Sequence, residues 1–250
     1  MASVTSTSTK PHKVIGTRPV RHDGVPKVTG EAKYGADMHL PRMLFGKVLR
    51  SPHPHAIIKS INTKLAEAHP DVRAVATAKD LIPKETVGQE VVLGVTQTDN
   101  VLANSKVLYS GHAIAAVAAT NPHVAEEALS LIEVEYEILP AVTTVEEAMK
   151  PDAPWLHEDW AIDNPDQIPN VAGQENYQFG DLANGFDLAD LVVEREFRTQ
   201  SVHQGYIEPQ NATASWPPDD RLTIWCSSQG HFGIRDQLAK ALEIPESKIT

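Results

Sequence analysis

LTIWCSSQGHFGIRDQLAK, residues 222 to 240, changes its period halfway along. Leu222, Ile224 and Cys226 alternate with Thr223, Trp225 and Ser227, the period of a strand with one buried face. Beyond Gln229-Gly230, the residues Phe232, Leu238, Ala239 and Leu242 recur at roughly helical spacing, so the chain is expected to turn from strand into helix at this corner. A helix start presents backbone N–H groups with no partner inside the helix, and these favour anionic or oxo groups. Gln229 stands there with a carboxamide that both donates and accepts without changing the local charge. On these residues alone, a Gln-Gly corner is most often an ordinary loop.

Upstream of the corner, Gly205 to Trp216 leads into it, and Leu191 to Phe197 has strand character. Before that the composition shifts. Glu146 to Glu196 holds thirteen acids and two bases, so this stretch carries the whole net charge of -11. Prolines and glycines punctuate it, and apolar periodicity is nearly absent before Leu188, which predicts a solvated linker over 146–190.

The first half of the chain reads as a mixed unit. Lys33 to Asp37, Met43 to Leu49, Ile57 to Ile61 and Val72 to Ala76 are expected strands. Ala113 to Ala119 is a small, apolar, fully buried strand by the same reading. Asn121 can cap, and Pro122 can start, a helix that buries Val124, Ala125, Ala128, Leu129 and Ile132. Glu133 to Ile138 alternates Val134, Tyr136 and Ile138 with three glutamates, a strand with one wet face. Strands and short helices without strict alternation make this an α+β fold.

Composition narrows the function. The 250 residues, 41% of them hydrophobic, suffice for one large or two small cores. A net charge of -11 without a basic stripe excludes a nucleic-acid backbone as partner. The single cysteine, Cys226, excludes an internal disulfide framework and fits a reducing compartment, so a cytoplasmic location is expected. No run of about 18 apolar residues is present, so no membrane span is expected. Residues 1–14 read as a frayed tail rather than a signal. His53 and His55 share a strand face at i and i+2, but Pro52 and Pro54 break the backbone and no third ligand is near, so no metal site is assigned to them. Asn211-Ala212-Thr213 fits a glycosylation acceptor and is read as accidental.

Two stretches carry a resemblance. QSVHQGYIEPQNATASW (200–216) and WCSSQGHFGIRDQLAKAL (225–242) resemble the entry into the molybdopterin-binding region of the xanthine dehydrogenase and aldehyde oxidase family, through His203, Glu208-Pro209, Ala212 to Trp216, Ser228-Gln229, Arg235 and Leu238-Ala239. Residues 15–61 and 107–142 are similar to the two halves of the α/β hammerhead domain that opens the large subunit of molybdenum hydroxylases. The matches include Arg21-x-Asp23-Gly24, Gly30-x-Ala32-x-Tyr34, Arg50-Ser51-Pro52-His53, Tyr109-x-Gly111 and the run Val134-Glu135-Tyr136-Glu137-x-Leu139-Pro140.

The resemblance implies a hammerhead domain over 15–145, the acidic linker over 146–190, and the beginning of an α+β molybdopterin-binding domain over 191–250. It implies molybdenum on a molybdopterin, in bacteria usually a dinucleotide form, and hydroxylation of an aldehyde or N-heterocycle with water as the oxygen source. Electrons would leave through iron–sulfur clusters and FAD, on partner domains or subunits. Gln229, with Gly230 beside it, aligns with the glutamine that donates toward an oxo ligand of molybdenum. No catalytic residue is assigned, because the family places its general-base glutamate downstream of Thr250, and Glu208 matches the upstream Glu-Pro instead. These residues are therefore expected to act with the remainder of a large subunit, an iron–sulfur subunit and an FAD subunit. The alternative is a non-catalytic hammerhead module that serves binding or assembly.

Overall fold

The structure is a computed structural model and describes residues 13, 15, 17–81, 101–157, 169–171, 177–218 and 221–250. In chain order it contains helix Gly24–Thr29 (α1), the 3-10 turn Gly35–Asp37, strands Phe45–Arg50 (β1) and Ala56–Asn62 (β2), helix Lys64–Glu67 (α2), strand Val72–Thr77 (β3), helix Ala78–Leu81 (α3), and strands Lys106–Val107 (β4) and Ala113–Ala119 (β5). Helix Pro122–Ser130 (α4), strand Glu133–Ile138 (β6), and helices Val145–Ala148 (α5) and Leu182–Asp187 (α6) come next. Strands Ala212–Ser215 (β7) and Thr223–Cys226 (β8), helix His231–Leu242 (α7) and the 3-10 turn Glu246–Lys248 complete the order.

β5 is the centre of the first unit. Its sequence, AIAAVAA, leaves both faces slim, and it pairs antiparallel with β1 on one side and β3 on the other, Ala119 standing opposite both Phe45 and Val72. Small side chains let α4 approach closely, and Ala125 and Ala128, three apart and so on one face, are fully buried against Ala115, Val117 and Ala119. Burying Ile114 and Val117 contributes roughly 1.5–3 kcal/mol each. The start of α4 is set as the sequence predicts: Asn121 Oδ1 accepts from the N–H groups of His123 and Val124, both at 3.0 Å, and Pro122 occupies the first turn.

A second antiparallel sheet, β4-β2-β6, holds a smaller core of Ala56, Ala103 and Val107 with Ile58 and Tyr136 against it. The expected wet face of β6 is present. Glu133, Glu135 and Glu137 are exposed while Val134 and Tyr136 are half-buried, and Glu137 pairs with Lys59 across the strands, holding the lysine above its ordinary pKa. Ile138 departs from the pattern and is 66% exposed at the end of the ladder. His53 and His55 do not face one another. The His53 ring meets Tyr136 edge-on at 4.9 Å, and His55 is bonded through Nδ1 to the Pro140 carbonyl at 2.6 Å.

Three local expectations are corrected. Lys33 to Asp37 is not a strand: Gly35–Asp37 forms a 3-10 turn, closed by Tyr34 N–H to Asp37 Oδ2 at 3.0 Å and Asp37 N–H to the Tyr34 carbonyl at 2.9 Å. A short acidic side chain that accepts from the local backbone favours the turn over a ladder. Leu191 to Phe197 has no ladder partner among the described residues, and Phe197 is 87% exposed; alternation supplies a strand's side chains but not its partner. In the corner stretch Leu222 is buried, yet Thr223 to Cys226 are half-buried on both faces, because the β7–β8 pair is too narrow to cover one face completely.

Within 146–190, Asn170 makes a local knot. Its Nδ2 donates to the carbonyls of Ala148 and Pro154 at 3.1 and 3.0 Å, and its Oδ1 accepts from Leu156 N–H at 3.0 Å. Arg198 reaches back to Glu146 at 2.9 Å. No described helix is long and apolar enough to cross a membrane.

Candidate functional site

β8 runs into α7, and after the 3-10 turn the chain returns to β8, where Ile249 forms an isolated parallel bridge. Leu222 N–H donates to Lys248 O at 2.8 Å, Thr250 N–H to Leu222 O at 2.9 Å and Ile224 N–H to Thr250 O at 2.9 Å, with Leu222 and Ile249 bridged in parallel. β7 runs antiparallel on the other side of β8, with Ala212 opposite Cys226. The end of β8 and the start of α7 therefore lie on one side, the place where parallel strand–helix units receive ligands.

Gln229 and Gly230 sit on that side, as the sequence predicts, and both are exposed. Gly230 caps α7: its carbonyl accepts from Ile234 N–H at 3.1 Å, and its N–H donates to Ser228 Oγ at 2.9 Å. A Cβ on Gly230 would meet nothing within 4 Å, so the backbone is open to a bound group. The first-turn amides of α7 add the positive end of a 12-residue helix dipole. Arg235, one turn into α7, has its Cζ 5.4 Å from the Phe232 ring centroid and bonds Glu246 Oε2 at 3.3 Å on the returning chain. Phe232, expected on the buried face, is 67% exposed instead, beside His231.

The structure also brings the upstream motif to the corner. Asn211 and Ser227 exchange two bonds, Asn211 N–H to Ser227 Oγ at 3.1 Å and Ser227 N–H to Asn211 O at 3.2 Å, which ties the start of β7 to the end of β8. His203 stays with its own loop, edge-on to Tyr206 at 5.3 Å and accepting from Gly205 N–H at 3.0 Å. Sequence reading took Asn211 only as part of an accidental glycosylation pattern and gave it no place in the site. Asn211 Nδ2 donates to Pro209 O at 3.0 Å, and its Oδ1 is buried without a hydrogen-bond partner.

The chain's similarities agree with this arrangement. Residues 29–140 match the family model described as the a/b hammerhead domain of aldehyde oxidase and xanthine dehydrogenase, and residues 163–250 match the molybdopterin cofactor-binding domain, a match that begins inside the acidic stretch. The chain is 39% identical over 230 residues to a probable xanthine dehydrogenase subunit of Bacillus subtilis, covering 92% of this chain and 29% of that protein. Over 240 residues it is 32% identical to the nicotinate dehydrogenase large molybdopterin subunit of Eubacterium barkeri, covering 96% of this chain and 53% of that protein. The solved CO dehydrogenase from Oligotropha carboxidovorans superposes with a TM-score of 0.78 at 34% identity, covering 94% of this chain and 30% of that one. The chain thus spans between about a third and a half of the length of these relatives.

A pterin-held molybdenum needs no protein ligand triad, and among the described residues no group of three or more His, Cys, Asp or Glu is placed to hold a metal. What the corner offers is a neutral carboxamide, an unobstructed glycine and a helix start. Those donors fit an oxo group in the second coordination sphere.

Proposed function

Because the chain belongs to the aldehyde oxidase and xanthine dehydrogenase family, we propose that it forms the hammerhead domain and the first part of the cofactor-binding domain of a molybdenum hydroxylase large subunit. One observation carries this reading: the hammerhead match and the molybdopterin-domain match follow one another in a single chain. The domains are assigned as hammerhead 15–145, acidic linker 146–190 and cofactor-binding domain from 191. The substrate class is an aldehyde or N-heterocycle, the cofactor a molybdopterin in dinucleotide form, and the electron route a set of iron–sulfur and FAD partners. A cytoplasmic location agrees with the single, unpaired Cys226.

When bound, the molybdenum centre supplies a two-electron acceptor and activates water. The work of these residues is to orient it. Gln229 would hold the group by donating a carboxamide N–H toward an oxo oxygen, and being neutral it would do so without adding charge. Gly230 lets the backbone come close, and the α7 start favours accumulating negative charge.

The test uses the complete enzyme with its partners, assayed with purines, other N-heterocycles and aldehydes and a dye acceptor. Oxidation of at least one class is expected, and Gln229→Ala should lower kcat by about ten- to a thousandfold while leaving thermal unfolding nearly unchanged, as for loss of one preorganised donor. A Gln229→Ala enzyme with full turnover removes this residue from the site.

A further inference from the structure

The N-terminal segment packs against the strand that leads into the candidate site. The turn Gly35–Asp37 packs on β7, and a Cβ placed on Gly35 would overlap Asn211 Oδ1 and stand 3.2 Å from its Cγ. Gly35 is not among the glycines with positive φ, so backbone conformation does not require glycine here; space does. Rotating Asn211 away from the overlap breaks the bond from Nδ2 to Pro209 O at 3.0 Å, while Oδ1 is buried without a hydrogen-bond partner. The turn itself is stiffened by the reciprocal Tyr34–Asp37 bonds. From Asn211 the connection continues through the paired bonds with Ser227, two residues before Gln229.

We propose that Asn211 is a positioning residue for the Gln229 corner, clasped from the N-terminal segment by Gly35. This rests on the reading in which Gln229 faces the cofactor. These contacts join the turn, the asparagine and the end of β8, so the segment before the hammerhead sheets would set the position of the strand end that carries Gln229.

The experiment compares Gly35→Ala, Asn211→Ser in the Gly35→Ala background, and Gln229→Ala in the complete enzyme with its partners. Three readouts are taken: kcat and KM, the Mo(V) paramagnetic resonance signal, and amide hydrogen exchange at Ser227. Gly35→Ala is expected to lower kcat about ten- to a hundredfold with KM nearly unchanged, as for a misplacement of about 1 Å. It should also alter the resonance signal and speed exchange at Ser227. The shorter serine removes the overlap and should restore most of kcat and slow exchange again. If Gly35→Ala does not accumulate as folded protein, recovery of folded enzyme in the double variant supports the clasp, and its failure to recover overturns it. A Gly35→Ala enzyme with wild-type kcat, signal and exchange overturns it as well. An impaired Gln229→Ala beside an unaffected Gly35→Ala defeats the clasp alone. A wild-type Gln229→Ala defeats the cofactor reading, and with it the positioning role.

Discussion

His55 shows how one side chain can fasten a sheet edge. It is 3% exposed, its Nδ1 bonds Pro140 O at 2.6 Å, and its own carbonyl accepts from Leu139 N–H at 3.0 Å, so the residue ties the start of β2 to the end of β6 twice. His55→Ala leaves the Pro140 carbonyl without that partner, and a loss of about 1–3 kcal/mol is expected. Urea unfolding should show a lower midpoint with an unchanged slope. Asp23 makes a different case. Hydrogen bonds from Arg21 and then Lys27 hold its carboxyl well below the ordinary aspartate range. A depressed value means that its contribution to the α1 turn is present above the unfolded carboxylate pKa and is lost only as pH falls through the lower folded value. The group is exposed, so the effect is local and screened by salt. A carboxyl titration followed by NMR should place Asp23 below the other exposed aspartates, and a normal midpoint would contradict the ion-pair geometry.

At the scale of elements, α4 depends on its first residue. Asn121 satisfies two amides that have no partner within the helix, so Asn121→Ala should cost about 1 kcal/mol, read from the thermal or urea midpoint. Its start was legible in the sequence, because cap, Pro122 and apolar spacing pointed the same way; of the residues expected buried, Ala125, Ala128 and Ile132 are, Val124 and Leu129 are half-buried, and Ile132 lies just beyond the helix. β5 and β6 were legible for the same reason: unbroken apolar residues in one and strict alternation in the other. Lys33 to Asp37 was not, because Asp37 outcompetes a ladder through a local bond that strand propensity does not register. Leu191 to Phe197 has the alternation of a strand, but a ladder depends on a partner far away in sequence. At the candidate site, Gln229 and Gly230 were placed correctly at the corner by the change of period, and their role came from resemblance rather than spacing. Asn211 escaped because its part depends on Gly35, a residue in a distant turn, and local sequence carries no trace of that contact.

For the whole molecule, two antiparallel sheets form the packed unit, and the β7–β8 pair with α7 carries the exposed corner. The acids gathered in 146–196 lie between them in sequence and supply the net charge of -11. The Arg198–Glu146 pair and the Asn170 knot fold part of that stretch back on itself. The order of these parts is that of the matched family domains, and the solved CO dehydrogenase follows it over 94% of this chain. The most direct test of the account is the molybdenum content, per copy of this sequence, of protein purified from its native host with its partners attached. About one molybdenum per copy is predicted, accompanied by a releasable pterin. A complex intact in all its subunits, protected from cofactor loss and free of molybdenum, would contradict it.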